Sequence, residues 1–295
     1  MGTCLRKWRC SPKMKLNNSA TQMQINQQDY EIICNFLEQS CGIVLGDNRH
    51  YLVNSRLNRL INEEQLSSLS ELVGRLQRGQ DRRLRAAVID AMTTNETSWF
   101  RDMHPFDSLK DIILPALAKR QLSNARIWSA ACSSGQEPYS IAMSIENFLR
   151  SRPGTLPGIQ ITATDISPAI LNVAKKAVFE EAALMRGVSA PMRNLYFEAV
   201  EGRWRLKKLI RDRVVFKELN LLQSFSMLGA FDCIFCRNVL IYFSNTVKQD
   251  IISRLAGALR PGGYLYLGGS ESLPGVIDRF ETLNCGRGLI YKLKS

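Results

Sequence analysis

Four apolar runs in this chain end in polar side chains that can do chemistry. "ARIW" leads into "SAACSSGQEPYS", Ser129 to Ser140, "IQITAT" ends in Asp165, "RVVFKEL" ends in Asn220, and "FDCIFC" runs into Arg237 and Asn238. In an open parallel sheet, ligands bind beyond the carboxyl ends of the strands, at the point where the strand order reverses. Four polar strand ends therefore mark one rim as a binding site. The first segment reads as strand, tight turn and helix start, the usual seat of a nucleotide phosphate. Yet Gly135 is its only glycine, and Glu137 stands where phosphate needs positive potential. Neither G-x-G-x-x-G nor G-x-x-x-x-G-K-[ST] occurs.

Glu137 narrows the ligand. A carboxylate in the first helical turn is favoured by the helix macrodipole, so capping alone accounts for it. The same charge repels phosphate and suits a cationic ligand without one. S-adenosylmethionine fits, with an ammonium, a sulfonium and a ribose bearing two hydroxyls; whether Glu137 meets the ammonium or the ribose stays open. Asp165 has two readings as well. It can hold ribose hydroxyls, or cap the helix of "DISPAI", where Ser167 is an equally good cap ahead of Pro168.

The elements that must position these groups divide the chain. Residues 26–92 read as four amphipathic helices. Ile33, Phe36, Leu37 and Cys41 stripe the first. The second runs from a cap at Asp47 to Asn62, the third opens on a capping box of Ser68 and Glu71 and ends at Gly79, and the fourth begins near Asp81. "TTNETSWFR" breaks the helical period, which makes 93–103 a linker. From 104 to 295 a helix kinked at Pro115 precedes alternating strands and helices. This pattern implies a mostly parallel sheet covered on both faces, with an antiparallel last strand "GLIYKL". Residues 184–214 alternate around an "EG" turn and read as a small antiparallel β insertion.

Bulk properties bound the rest. Thirty-nine Lys and Arg against 27 Asp and Glu give a net charge of +12, which favours an acidic partner. Two histidines leave little for metal or triad chemistry, and "CIFC" lacks the second ligand pair of a zinc site, so its cysteines read as core and no metal is expected. No apolar run reaches the ~18 residues of a membrane span. Residues 1–25 read as a disordered leader with neither a signal peptide nor a myristoylation pattern, with Met14 or Met23 as alternative starts. A cytoplasmic protein follows by default. Nucleic acid is disfavoured as a partner, because there is no D/N-P-P-Y/F segment and no cluster of stacking aromatics.

"TTNETSWFR", "ACSSGQEPYS", "TATDIS" and "FCRNVLIYF", in this order and spacing, resemble the signature segments of the chemotaxis receptor methyltransferase family, CheR, over about residues 27–295. The resemblance implies a class-I, Rossmann-like methyltransferase sheet behind a helical receptor-recognition domain. It also implies methyl transfer from S-adenosylmethionine to glutamate side chains in the cytoplasmic helical domain of chemoreceptors, by a monomeric enzyme. Carried over, it places Asn95, Thr97 and Arg101 over the cofactor. Glu137 and Asp165 fall at its ammonium or ribose end, Asn220, Leu221, Arg237 and Asn238 along the adenosine, and Tyr242 near the reacting methyl. Arg101 is then the clamp for the incoming carboxylate, and a basic stripe of Arg49, Arg56 and Arg59 faces the glutamate-rich receptor helix. Trp99 stands where relatives usually have Phe. The insertion is short, with "EAVE" alone between Phe197 and Gly202; members that dock a receptor's C-terminal pentapeptide have a longer loop there. The same chemistry on another receptor-like sensory protein, in pilus or surface sensing, is the alternative.

Overall fold

The computed structural model describes residues 25–294 apart from 121–123, 157, 274, 276 and 286–287. The leader and the alternative starts lie outside the described residues, except Ile25, which is buried in the core of the helical domain. That domain comprises α1 (Gln27–Cys41), α2 (His50–Glu63), α3 (Leu69–Arg78) and α4 (Arg82–Met92). Ile33, Leu37, Val53, Leu57, Leu72 and Val88 recur on the inward faces and form its centre. Asn26, Ser68 and Asp81 cap α1, α3 and α4 through their side chains. The capping box of α3 is offset, because the Glu71 carboxylate accepts from the Ser67 N–H and hydroxyl rather than from Ser68. Asp47 does not cap α2, which opens at His50 with no side-chain cap. The Tyr30 hydroxyl fixes that corner instead, donating to Gly46 O (2.8 Å) and accepting from the Arg49 N–H (3.2 Å).

Past the irregular segment 93–103 come α5 (His104–Ser108), a π-helical turn (Leu109–Ile113) and α6 (Leu114–Lys119). Pro115 supplies no N–H, and the hydrogen-bond ladder widens into the π turn just before it. The remainder alternates β1 (Ala125–Ala130), α7 (Gln136–Ser151), β2 (Ile159–Asp165), α8 (Pro168–Lys176), β3 (Val178–Phe179), α9 (Glu181–Leu184), α10 (Ala190–Tyr196), β4 (Phe197–Val200), β5 (Arg203–Leu206), α11 (Lys208–Arg211), β6 (Val214–Glu218), β7 (Phe231–Cys236), α12 (Asn245–Ala258), β8 (Leu259–Leu267), β9 (Phe280–Asn284) and β10 (Leu289–Leu293).

Seven strands form one sheet in the order β6-β2-β1-β7-β8-β10-β9. The first five are parallel, and β10 pairs antiparallel with both its neighbours. The order reverses between β1 and β7, so the switch point lies beyond Ala130 and Cys236. Successive residues feed opposite cores: Ile127, Cys233 and Phe235 face one, Trp128, Ile234 and Cys236 the other. Cys233 and Cys236 therefore point away from each other and cannot share a ligand. β9 was not expected from the sequence. Only Phe280 of its five residues is buried, so its side chains show no apolar alternation. The small second sheet, β3-β5-β4, is the expected insertion, and it reaches back to Val178.

Candidate active site

Beyond β1, the chain turns through Ala131, Ser133 and Gly135, all at positive φ (55°, 51° and 94°). Two of these three left-handed positions are held by residues with a Cβ. Gly135 has no such latitude, since an added Cβ would lie 3.1 Å from both Ala174 Cβ and the Tyr139 ring. The turn launches α7 with Glu137 in its first turn. Glu137 Oε1 accepts from the Ser129 hydroxyl (2.8 Å) and Oε2 from Arg237 Nη1 (3.0 Å). Burial raises the Glu137 pKa above the usual carboxylate range, with the neighbouring Arg237 charge opposing that rise. Its side chain is 13% exposed.

Arg237 stands one residue past β7, and its side chain is 1% exposed. Besides Glu137 it donates from Nη2 to Asp102 Oδ2 (2.6 Å) and to Arg101 O (3.0 Å). One cation is thus shared by two carboxylates, and this corner keeps a negative balance. Asp165, at the end of β2, is buried. Its Oδ2 accepts from the Ser133 N–H (2.8 Å) and Oδ1 from the Ser167 N–H (3.1 Å), and burial raises its pKa too. The helix cap is Ser167, whose hydroxyl accepts from the Ile170 N–H. Asp165 is therefore not spent on the helix cap, and its carboxylate keeps acceptor capacity for a ligand.

These groups surround a cavity of ≈ 350 Å³, within the range of small-ligand sites. Asn95, Thr97, Arg101, Glu137, Asp165, Asn220, Leu221, Arg237, Asn238 and Tyr242 all line it. The helical domain closes one side. Val44 N–H donates to Tyr242 O (2.9 Å), and Asn220 Nδ2 donates to Ser40 O (2.7 Å). The linker closes another: the Ser133 hydroxyl donates to Asn95 O (2.9 Å), and the Phe100 N–H donates to the Ser140 hydroxyl (3.1 Å). Trp99 packs edge-on against Phe179 and Phe197 of the insertion, with centroids at 4.8 and 5.4 Å. The linker is thereby held from both sides.

The three arginines of the expected basic stripe separate. Arg49 lies just ahead of α2, is exposed and lines the cavity. Arg56 lines it too, but its guanidinium donates to Met92 O (2.6 Å), Thr93 O (3.1 Å) and the Thr94 hydroxyl (2.8 Å). Arg59 is 86% exposed and pairs with Glu63. Arg101 Nη1 donates to Glu96 O (3.3 Å), which leaves Nη2 without a protein partner among the described residues. Two polar residues escaped the sequence reading. Asp102 follows directly on the linker motif. Glu271 follows the glycines that end β8, a fifth strand end on the same rim.

Apart from its carboxylates, the cavity offers no general base. His50 and His104 do not line it, and burial together with the Asp165 and Glu137 charges drives the Cys132 thiol well above its ordinary pKa. Among the described residues, no group of three or more His, Cys, Asp or Glu could hold a metal ion.

Family models divide the chain at the same place. The all-alpha domain of CheR methyltransferases matches residues 28–93, and their SAM-binding domain matches residues 95–289. The chain belongs to the CheR methyltransferase family. It is 51% identical over 277 residues to chemotaxis protein methyltransferase 1 of Vibrio cholerae, covering 93% of this chain and all of that one. Chemotaxis protein methyltransferase 1 of Pseudomonas aeruginosa is also 51% identical, over 92% of this chain and its own full length. The chemotaxis protein methyltransferase of Escherichia coli is 32% identical, over 92% and 93%. In this CheR-family chain the residues present suit S-adenosylmethionine. Buried acids with acceptor capacity lie on the floor of the cavity, asparagines and Leu221 at the next strand ends, and arginine on the linker wall.

Proposed function

We propose that this protein transfers a methyl group from S-adenosylmethionine to glutamate side chains of chemoreceptors, forming glutamyl methyl esters. The observation that carries this reading is the polarity of the cavity. Asp165 ends β2 and Glu137 opens α7, while Arg101 reaches in from the linker with one terminal nitrogen uncommitted. Bound S-adenosylmethionine would supply an electrophilic methyl on a sulfonium. Asp165 and Glu137 would hold its ribose and ammonium end, and Asn220, Leu221 and Asn238 its adenosine. Tyr242 would stand beside the reacting methyl.

A glutamate carboxylate is ionised at neutral pH, with an ordinary pKa of ~4.3, so the acceptor needs no deprotonation. That agrees with a cavity without histidine and with its cysteines, Cys41 and Cys132, held as thiols. The protein's task is alignment, worth up to ~7–11 kcal/mol in well-oriented systems. Arg101 Nη2 would take one oxygen of the incoming carboxylate and leave the other to attack. Arg101→Ala is expected to lower turnover strongly while S-adenosylhomocysteine binding falls less. Unchanged turnover at saturating receptor would remove Arg101 from the mechanism.

The insertion favours a receptor that needs no tethered tail. Glu201 and Gly202 form a two-residue hairpin turn, both left-handed (φ 50° and 73°), leaving no loop to receive a C-terminal peptide. Exposed Arg49 and Arg59 would steer the glutamate-rich helix. The deciding experiment incubates the protein with methyl-labelled S-adenosylmethionine and receptor-containing membranes. Base-labile label on a receptor-sized band supports the reading. Base-stable label, or label only on another sensory protein, overturns it.

A further inference from the structure

Glu271 lies outside the cavity lining, yet its carboxylate is the most heavily used acceptor near it. Oε2 accepts from the backbone N–H groups of Asn238 (2.8 Å) and Gly268 (2.6 Å), and Oε1 from those of Leu240 (2.8 Å) and Ile241 (3.3 Å). Three of these four donors belong to the segment that carries Asn238 and Tyr242 to the cavity wall. They open the short 3₁₀ turn Leu240–Tyr242, so the turn itself offers them no acceptor. Asn238 sits at φ 60°, in the left-handed region that Asn enters more readily than most side chains but that its surroundings must still hold. The approach is close enough to dictate Gly268: a Cβ there would lie 2.7 Å from Glu271 Oε2 and 2.8 Å from Asn238 Nδ2.

We propose that Glu271 is a positioning residue of the methyl-transfer site: its carboxylate gathers the amides of Asn238, Leu240 and Ile241 and so sets where Asn238 and Tyr242 stand. The inference rests on the function proposed above for the cavity. A carboxylate suits this task because it presents two acceptor oxygens and no donor. An amide has one oxygen, so either orientation of a glutamine turns its NH₂ toward backbone N–H groups and leaves two of the four donors unpaired.

The test compares Glu271→Gln with Asp81→Ala, which removes the α4 cap far from the cavity and serves as a control for lost stability. Both are assayed well below their melting temperatures. Glu271→Gln is expected to lower kcat roughly 10–100-fold, the scale of small misplacements of reacting groups. It should also weaken S-adenosylhomocysteine binding in calorimetry and speed hydrogen exchange across 238–242. Asp81→Ala should do none of these, and Glu271→Asp should restore part of the loss. Wild-type kcat, affinity and exchange in Glu271→Gln would reduce Glu271 to a stabilising contact and overturn the proposal. If Glu271→Gln does not fold, Gly268→Ala, which pushes the carboxylate off Asn238, must show the same loss. Failure of both to fold makes Glu271 a folding determinant and overturns the proposal as well. A wild type that binds S-adenosylhomocysteine but methylates no receptor would overturn the proposed function and leave the exchange and affinity readouts of Glu271 intact.

Discussion

Glu137 carries a charge that its surroundings both oppose and use. Burial raises its pKa, so the ligand-free protein is more stable with Glu137 protonated, and its ionised form costs stability at neutral pH. A cationic ligand reverses that preference. Affinity for S-adenosylmethionine should therefore fall as pH drops through the raised pKa of Glu137, beginning above the ordinary carboxylate range. Ligand-induced thermal shifts, measured from neutral pH into acid, should shrink in the wild type. In Glu137→Gln they should be smaller and flatter, and an unaltered pH profile would remove Glu137 from the cation's vicinity. Arg237 gives a second prediction. Its guanidinium bridges Glu137 and Asp102 out of solvent, and Arg237→Ala strands the Glu137 carboxylate. Breaking a buried pair costs about 3–5 kcal/mol, so denaturant unfolding should show a loss of that order. The sequence made Asp165 and Arg237 visible because they stand at strand ends, and Glu137 because it opens the helix after the first strand. Asp102 could not be seen in the same way, since its partner is 135 residues away and only the folded linker joins them.

Among the elements, the turn after β1 shows how a nucleotide-type loop works with one glycine. Ala131 and Ser133 accept left-handed backbone, and Gly135 takes the position where a Cβ would meet Ala174 and Tyr139. Gly135→Ala should destabilise the protein by about 1–3 kcal/mol and weaken cofactor binding in the same titration. A variant as stable as wild type would show that the ring of Tyr139 yields. α3 offers a pH test. The Ser67 N–H and hydroxyl, with Arg75, hold the Glu71 carboxyl at about 2, below its unfolded value of 4.5. Its contribution to stability is present above 4.5 and is lost as pH falls through about 2. The stability gap between wild type and Glu71→Gln should accordingly narrow on acidification. The strands were legible because β1, β2 and β7 are buried along most of their length and carry apolar residues at their centres. β9 was not, because four of its five residues are only partly buried or exposed.

For the whole molecule, the helical domain is part of the site as well as the proposed receptor-facing module. Arg56 ties α2 to the carbonyls of Met92 and Thr93, at the start of the linker that carries Asn95, Thr97 and Arg101. Arg56→Ala should weaken cofactor binding although Arg56 is occupied with the linker. Arg59→Glu should leave cofactor binding unchanged while receptor methylation weakens and loses salt sensitivity. Equal effects of both on cofactor affinity would contradict this division. A helical stripe alone could not separate the two arginines, because the difference arises from what packs against the helix. The turn at Glu201–Gly202 stands apart from all of this. Strand pairing closes at Val200 and Arg203, and space beside Gly202 is open. The linker meets the insertion at its opposite side, through Trp99. Such a hairpin tip is an exchangeable part: a longer loop grafted there would leave the linker and the cavity untouched.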